Sequence, residues 1–232
     1  MEFTTEGWTA VEILGPGLIQ NFRRYGIIVG AFPNPSALSG SRVTVRHVTS
    51  HRNCFSGIQL AFVSNSRIEE NVSVRNSSAS AGFACGGTCI LQSDNNRIRR
   101  NIYSGNGSVA AGNNDFGVGI LAGSDGNLIE GNIIGGNTNG IWVAAAAGVG
   151  NVVRRNTIAG NPPVELVGAT GSGVDIRDNS PAGTVAFNDN LCITYQGFAT
   201  PPPCRNIPKF TRPSLTPDQT VVEDGDEINN RR

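Results

Sequence analysis

Two histidines and a cysteine lie close together in the chain and are the residues best suited to hold a metal ion. His47 and His51 are the only histidines, and Cys54 follows three residues after the second. A spacing of four would place both histidines on one side of a helix, but on a strand it separates them by about 13 Å. One ion cannot be chelated across that distance unless a turn intervenes. We therefore predict no metal site and no cofactor.

The acidic residues have settings typical of turns and tails rather than of a catalytic cluster. Asp94 and Asp125 lie in SDN and SDG segments, where short polar side chains form turns. Four acids near the C-terminus could attract calcium, but a solvated tail explains them better; they are Glu223, Asp224, Asp226 and Glu227. A phosphate-binding loop, a GxSxG motif and a dinucleotide fingerprint are all missing from the sequence. The catalytic residues, if the protein has any, are therefore unknown.

A repeated segment organises the chain between Asn65 and Asn161. Each copy has an aliphatic residue, an Asn three places later and a second Asn five places after that. The copies are IEENVSVRN (68–76), IRRNIYSGN (98–106), IEGNIIGGN (129–137) and VRRNTIAGN (153–161), with a shortened IRDN at 176–179. Self-similarity at a period of 20–50 residues indicates a repeat architecture. We expect three short strands in each repeat, with insertions at 77–88 and 107–117 after the second Asn.

An Asn that recurs at one place in stacked strands can join neighbouring copies, because strands lie about 4.8 Å apart. Its amide can donate to the Asn of the next copy and accept from the previous one, and Asn also tolerates the left-handed backbone of a sharp corner. We therefore predict a structural ladder formed by Asn71, Asn101, Asn132, Asn156 and Asn179.

The charged residues that precede this ladder are predicted to form two columns of mostly alternating sign. The first column is Glu69, Arg99, Glu130, Arg154 and Arg177, and the second is Glu70, Arg100, Gly131, Arg155 and Asp178. Cross-strand pairs of opposite charge stabilise a sheet by roughly 0.2–1 kcal/mol each. These charges therefore need no ligand to explain them.

The repeats resemble those of right-handed parallel β-helix proteins of the pectate-lyase-like superfold, which is common among secreted bacterial proteins. The segments that carry the resemblance are GPGLIQNF, GIQL, NSRIEENVSV, GNLIEGNIIGGNTNGIWV and GNVVRRNTIAGN, within about residues 10–190. We expect an all-β, right-handed parallel β-helix of about seven three-stranded coils over residues 1–197, with the Asn ladder at one corner. Residues 198–232 are Pro-rich and then acidic, and we expect a partly disordered extension.

The resemblance also implies where a ligand would bind. In this superfold, sugars bind on the face of the first strand of each coil, beside the insert-bearing turn. The matching segments are 26–29, 57–60, about 89–92, 118–122, 140–144 and 164–167, with Ile28, Ala122 and Ala144 among the outward residues. We take Gln59, Asp115, Trp142 and Glu165 as candidate substrate-binding residues. Packing beneath the 107–117 insert is the alternative role for Trp142.

Three functions remain open at this point. The first is a non-catalytic protein that binds a polysaccharide or a cell-surface glycan. The second is a carbohydrate-active lyase, hydrolase or epimerase that acts on the same face, although the family's carboxylate and acid–histidine clusters are not recognisable. The third is a structural subunit that stacks end to end through open coil ends, since exposed strand edges favour pairing.

Composition and cysteines restrict the partners and the compartment. The 232 residues carry no net charge, which argues against nucleic-acid binding, and no apolar run approaches the roughly 20 residues of a membrane span. Two pairs of cysteines are predicted to form disulfides, with five reduced cysteines as the alternative; the pairs are Cys85 with Cys89 and Cys192 with Cys204. Disulfides imply an oxidising compartment, so we expect a secreted or periplasmic protein. The N-terminal residues lack signal-peptide features, and we expect that a leader was removed or is not included.

Overall fold

The computed structural model describes residues 2–3, 9–30, 40–77, 86–107, 116–161, 173–199 and 204–205. Within these ranges the chain forms strands and turns, and no helix is present. The strands are β1 (Glu2–Phe3), β2 (Glu12–Gln20), β3 (Tyr25–Gly30), β4 (Thr44–His51), β5 (Ser56–Ala61), β6 (Arg67–Glu69), β7 (Val72–Val74), β8 (Gly86–Leu91), β9 (Arg97–Arg99), β10 (Ile102–Ser104), β11 (Val118–Ile120), β12 (Leu128–Glu130), β13 (Ile133–Gly135), β14 (Ile141–Val143), β15 (Asn151–Arg154), β16 (Thr157–Ala159), β17 (Ile176–Asp178), β18 (Val185–Asn188), β19 (Asn190–Leu191), β20 (Tyr195–Gln196) and β21 (Cys204–Arg205).

These strands stack in parallel along the axis of a β-helix. The first sheet has eight strands, in the order β1-β3-β5-β8-β11-β14-β17-β20. The second sheet (β18-β15-β12-β9-β6-β4) and the third sheet (β4-β7-β10-β13-β16-β19-β21) are continuous, because the first half of β4 pairs with β6 and its second half with β7. The chain visits the three sheets in turn, as in β5, β6 and β7. The predicted all-β parallel β-helix is therefore confirmed.

Aliphatic side chains in register fill the interior of the coils. In the second sheet the inward position is fully buried on successive strands and holds Val45, Ile68, Ile98, Ile129 and Val153. Alternate residues of a strand face opposite sides of the sheet, so the flanking residues of each three-residue strand point outward. Each buried aliphatic side chain stabilises the fold by about 1.5–3 kcal/mol.

Buried asparagines join successive coils at the corner between the second and third sheets. Nδ2 of Asn71 donates to Oδ1 of Asn101 at 3.1 Å, and Asn101 donates in the same way to Asn132 at 3.1 Å. Asn132 donates to Asn156 at 2.9 Å. Each acceptor oxygen also takes the backbone N–H of the preceding Asn. These side chains thus supply the hydrogen bonds that the sheet ladder cannot make at a corner.

Two further sets of asparagines occupy the other corners. Asn76, Asn106, Asn137 and Asn161 connect the third sheet to the first, and Nδ2 of Asn161 donates to Asp175 at 3.0 Å. Asn96, Asn127 and Asn151 connect the first sheet to the second. This last set was not predicted from the sequence, although each member stands two residues before an inward aliphatic residue.

The glycine that precedes most first-sheet aliphatic positions is required by the adjacent Asn corner. A Cβ at Gly140 would lie 2.5 Å from Cγ2 of Ile158 and 3.1 Å from Nδ2 of Asn161. A Cβ at Gly117 would meet Ile134 and Asn137 in the same way, at 2.7 and 3.1 Å. The Gly-Ile pairs and the second Asn of the repeat are therefore parts of one packing unit.

The predicted columns were wrong at their last member. Asn156 donates to Asn190 at 3.0 Å, not to Asn179. The strand β17 lies in the first sheet, where Arg177 pairs with Trp142 and Asp178 with Val143. The reason is that Asp175 ends the Asn161 corner, so the chain that follows enters the first sheet. The first-sheet strand predicted at 164–167 lies outside the described residues.

Candidate functional site

The outward residues of the first sheet form one straight column, but most of it is inaccessible. Register aligns Ile28, Gln59, Cys89, Gly119, Trp142, Arg177 and Gln196 on successive strands. Ile28, Gln59 and Cys89 are at most 4% exposed. Trp142 and Arg177 are half-buried, and Gln196 is exposed. Among the described members of this column, those at the C-terminal end are therefore the accessible ones.

Phe116 covers the middle of the column. Its ring centroid lies 5.4 Å from that of Trp142, with the rings tilted by 47°. A Cβ added to Gly119 would lie 2.1 Å from the Phe116 ring, so the ring occupies the space above that glycine. Cys89 and Leu121 complete this small apolar cluster. Trp142 thus packs against the last part of the 107–117 insert and presents only part of its surface to solvent.

Arg177 lies beside Trp142, directly opposite it on the neighbouring strand. Adjacent strands are about 4.8 Å apart, so these two side chains leave the outer face of the sheet from neighbouring positions. The indole Nε1 is buried and has no hydrogen-bond partner among the described residues. Arg177 was not predicted as a site residue, because Asp175 replaces the glycine that precedes the inward residue in most other first-sheet strands.

Gln59 is the other predicted binding residue that the structure describes, and it is not part of this area. Gln59 is 3% exposed, and its Oε1 has no hydrogen-bond partner in the described part of the chain. Asp115 and Glu165 lie outside the described residues. Of the four candidates, Trp142 is the one that the structure describes at a partly accessible position.

Glu70 is the centre of the largest ion-pair group among the described residues. Its carboxylate lies 2.6 Å from Arg46, 2.8 Å from His47 and 2.8 Å from Arg100. The hydrogen bond from Arg46 is the main cause that lowers the pKa of Glu70, and His47 and Arg100 act in the same direction. The group lies at the corner between the second and third sheets, away from Trp142. Its ion pairs join the coil of Glu70 to the two adjacent coils.

The same pairing occurs one strand position earlier. Arg99 contacts Glu69 at 2.7 Å, and Arg154 contacts Glu130 at 2.8 Å. These opposite charges on adjacent coils neutralise one another, which explains their spacing without a ligand.

The residues considered for metal binding have separate partners. His47 contacts Glu70, whereas Nδ1 of His51 lies 3.5 Å from Gln20. Asp94 and Asp125 accept the backbone N–H groups of Asp125 and Val149, so each carboxylate joins its turn to the next coil. Across the described ranges, no three His, Cys, Asp or Glu side chains are grouped as metal ligands.

One predicted disulfide is confirmed, between Cys192 and Cys204. Cys89 is also disulfide-bonded, but Cys85, its predicted partner, lies outside the described residues. Cys54 is a free, half-buried thiol. The described residues contain no helix long and apolar enough to cross a membrane.

Comparison with known proteins identifies the fold. The family described as "Right handed beta helix region" matches residues 39–197. No match is found among curated proteins. A similar solved structure is the A-module of the mannuronan C-5 epimerase AlgE4 from Azotobacter vinelandii, with 11% sequence identity and a TM-score of 0.44. The alignment covers 83% of this chain and 57% of that one.

Proposed function

The chain belongs to the right-handed beta helix family, and we propose that it is a non-catalytic protein that binds a carbohydrate polymer at the C-terminal end of the first sheet. The observation that carries the proposal is the register of Trp142 and Arg177, which places an aromatic ring and a cation side by side on one outer face. Gln196 extends the same line by one strand and is exposed.

Each of the three side chains offers a contact that a sugar can use. An aromatic ring packs against the C–H groups of a pyranose, because it is a flat apolar surface. A guanidinium binds carboxylates through two parallel hydrogen bonds. A glutamine amide both donates to and accepts from hydroxyl groups. The combination favours an acidic glycan, such as a polymer that contains uronic acids.

The direction of a bound polymer follows from the geometry. Trp142, Arg177 and Gln196 lie on successive strands, so their column runs along the axis of the coils. A linear glycan would therefore lie parallel to that axis and perpendicular to the strands.

The carboxylates near this area accept hydrogen bonds from neighbouring parts of the fold. Asp175 accepts hydrogen bonds from Nδ2 of Asn161 and from the backbone N–H groups of Ile193 and Thr194. Asp178 accepts hydrogen bonds from Ser180. These partners account for the carboxylates, and the proposal assigns no residue to catalysis. The Cys192–Cys204 disulfide supports action in an oxidising compartment such as the cell exterior.

Binding can be tested by titrating the protein with acidic and neutral glycans. We expect the wild type to bind acidic polymers in preference, Trp142→Ala to weaken all binding, and Arg177→Gln to weaken binding of acidic polymers selectively. A loss of about 1–2 kcal/mol, or roughly five- to thirtyfold in affinity, corresponds to one charge-assisted contact. Arg67→Gln is the matched control, because Arg67 is an exposed arginine on the second sheet.

Two results would overturn the proposal. One is wild-type affinity in both Trp142→Ala and Arg177→Gln, or a failure of the wild type to bind any glycan. The other is turnover of a bound glycan, seen as new reducing ends, unsaturated ends or inverted C5 centres, which would make the protein an enzyme.

A further inference from the structure

The outer face of the third sheet carries an exposed stripe of aliphatic and threonine side chains. Register aligns seven residues on successive strands, and we call them the aliphatic column: Leu18, Thr49, Val72, Ile102, Ile133, Thr157 and Leu191. Leu18 and Ile133 are 59% and 57% exposed, and Ile102 and Leu191 are 43% and 44% exposed. Large aliphatic side chains exposed on adjacent strands, unlike scattered single ones, mark an interaction surface.

A second outward column, beside the first, consists of Gln20, His51, Val74, Ser104, Gly135 and Ala159. Arg205 of β21 continues the aliphatic column past Leu191, but between β2 and β19 neither column contains an Asp, Glu, Lys or Arg. The outer face of the second sheet is different, because there Arg46, Glu69, Arg99, Glu130 and Arg154 follow one another. From β2 to β19 the third sheet therefore presents an uncharged outer face.

The order of residues in the aliphatic column is nearly the same in both directions. Read from the N-terminal coil it is Leu, Thr, Val, Ile, Ile, Thr, Leu, and read backwards it is Leu, Thr, Ile, Ile, Val, Thr, Leu. A twofold axis that runs along the strand direction through Ile102 reverses the order of the coils. It would bring Leu18 against Leu191 of a second copy and Thr49 against Thr157.

We propose that this face binds a second copy of the chain in an antiparallel, twofold-symmetric dimer. The same axis places the second column against itself, with large side chains opposite small ones: His51 faces Ala159, and Val74 faces Gly135. An isologous contact of this kind requires a self-complementary patch. An uncharged patch meets its own copy without like-charge repulsion, which an unbalanced charged face would incur.

The size of the face indicates a weak dimer. Seven strands about 4.8 Å apart and about three residues wide give roughly 350 Å² per copy, or roughly 700 Å² in total. Stable interfaces bury about 1,200–2,000 Å², and weak ones lie below that range. We therefore expect dimerisation at micromolar or higher concentrations.

Sedimentation equilibrium of the full chain over a concentration series tests the proposal. We expect a reversible monomer–dimer equilibrium, and Ile133→Lys should raise the dissociation constant at least about tenfold. Val149→Lys is the matched control, since Val149 is a β-branched residue that is 63% exposed in a turn outside the face. Circular dichroism and thermal unfolding would show that both variants keep the fold.

A charge pair tests the antiparallel arrangement. Thr49→Glu alone and Thr157→Lys alone should each weaken the dimer. The double variant Thr49→Glu/Thr157→Lys should recover most of the lost affinity, because residue 49 of one copy faces residue 157 of the other. In a parallel arrangement the identical new charges would face each other, and the double variant would be weaker than either single one.

Several outcomes would overturn the proposal. A wild type that stays monomeric up to about 1 mM, or a dimer that Ile133→Lys leaves intact, removes this face as the interface. Single variants that weaken the dimer without recovery in the double variant reject the antiparallel register. If the protein is monomeric and Ile133→Lys abolishes glycan binding, the face is a carbohydrate surface instead.

Discussion

Oδ1 of Asn190 accepts two hydrogen bonds from Asn156, one from Nδ2 at 3.0 Å and one from the backbone N–H at 3.1 Å. Its own Nδ2 donates to the carbonyl oxygen of Val153 at 2.9 Å. A single buried side chain, 34 residues along the chain from Asn156, thus supports a corner of the preceding coil.

Asn190→Ala should lower the free energy of unfolding by about 2–4 kcal/mol. The substitution leaves the N–H of Asn156 and the carbonyl of Val153 buried without these partners, and each such loss costs about 1–3 kcal/mol. Urea denaturation measures the change. Asn188→Ala is the control, because Asn188 is exposed two residues earlier. Asn179→Ala should also have a small effect, and a cost equal to that of Asn190→Ala would contradict this assignment of the column.

The repeating part of the fold could be predicted from the sequence, whereas the path of the chain after the last full repeat could not. From Asn71 to Asn156 each Asn has the same neighbours one coil above and below, so its spacing alone identifies its place. After Asn161 the length of the intervening segment decides which sheet receives the next strand. IRDN at 176–179 matches the repeat in letters but lies in the first sheet, and Phe187 takes the aliphatic place before Asn190.

The candidate site was predictable to a similar extent. Strand alternation correctly placed Trp142 on the outer face, since the period of two is local. The burial of Gln59 and the packing of Phe116 over Gly119 depend on side chains from other segments, which have no periodic signal. Arg177 was not recognised as a neighbour of Trp142, because the sequence repeat assigned it to the charge column of the second sheet.

Gly140→Ala should destabilise the protein by about 1–3 kcal/mol, the usual cost of overpacking a close-packed interior. The new methyl group would lie 2.3 Å from the carbonyl oxygen of Asp175 and 2.5 Å from Cγ2 of Ile158. Thermal unfolding measures the loss. Gly17→Ala is the control, since a Cβ there would meet nothing within 4 Å, and equal losses in the two variants would show that the corner tolerates a side chain.

Glu70→Gln should remove a pH-dependent part of the stability. The hydrogen bond from Arg46 lowers the pKa of Glu70 below its ordinary value of 4.5 in the folded state. A carboxyl with a lowered pKa stabilises the fold at pH values above its unfolded pKa, and this contribution is lost as the pH falls through the folded pKa. The wild type should therefore be more stable than Glu70→Gln at pH 7, and the difference should disappear in acid.

The control for Glu70 is Glu12→Gln, because Glu12 is exposed and has no ion pair among the described residues. High salt should reduce the Glu70 effect, since it screens exposed ion pairs. A difference between wild type and Glu70→Gln that stays constant from pH 7 to pH 2 would exclude an electrostatic origin.

Gly119→Val should displace the ring of Phe116 and expose more of Trp142. The β-carbon alone would overlap the Phe116 ring, which lies 5.4 Å from the indole between centroids. In a Trp8→Phe background, where Trp142 is the sole tryptophan, the fluorescence emission should shift to the red and iodide quenching should increase. Gly17→Val is the control, and an unchanged spectrum in Gly119→Val would show that Phe116 does not cover this strand in solution.

Cys204→Ser should lower the free energy of unfolding by about 2–3 kcal/mol. The Cys192–Cys204 disulfide closes a short loop with a sequence separation of 12, and loops near this size restrict the unfolded chain by about 3 kcal/mol. The strand β21 pairs with β19 beside this bond, so the C-terminal coil should also become more sensitive to proteases in the variant. Cys54→Ser is the control because Cys54 is a free thiol. If Cys204→Ser and Cys54→Ser unfold at the same urea concentration as the wild type, the disulfide contributes nothing to stability.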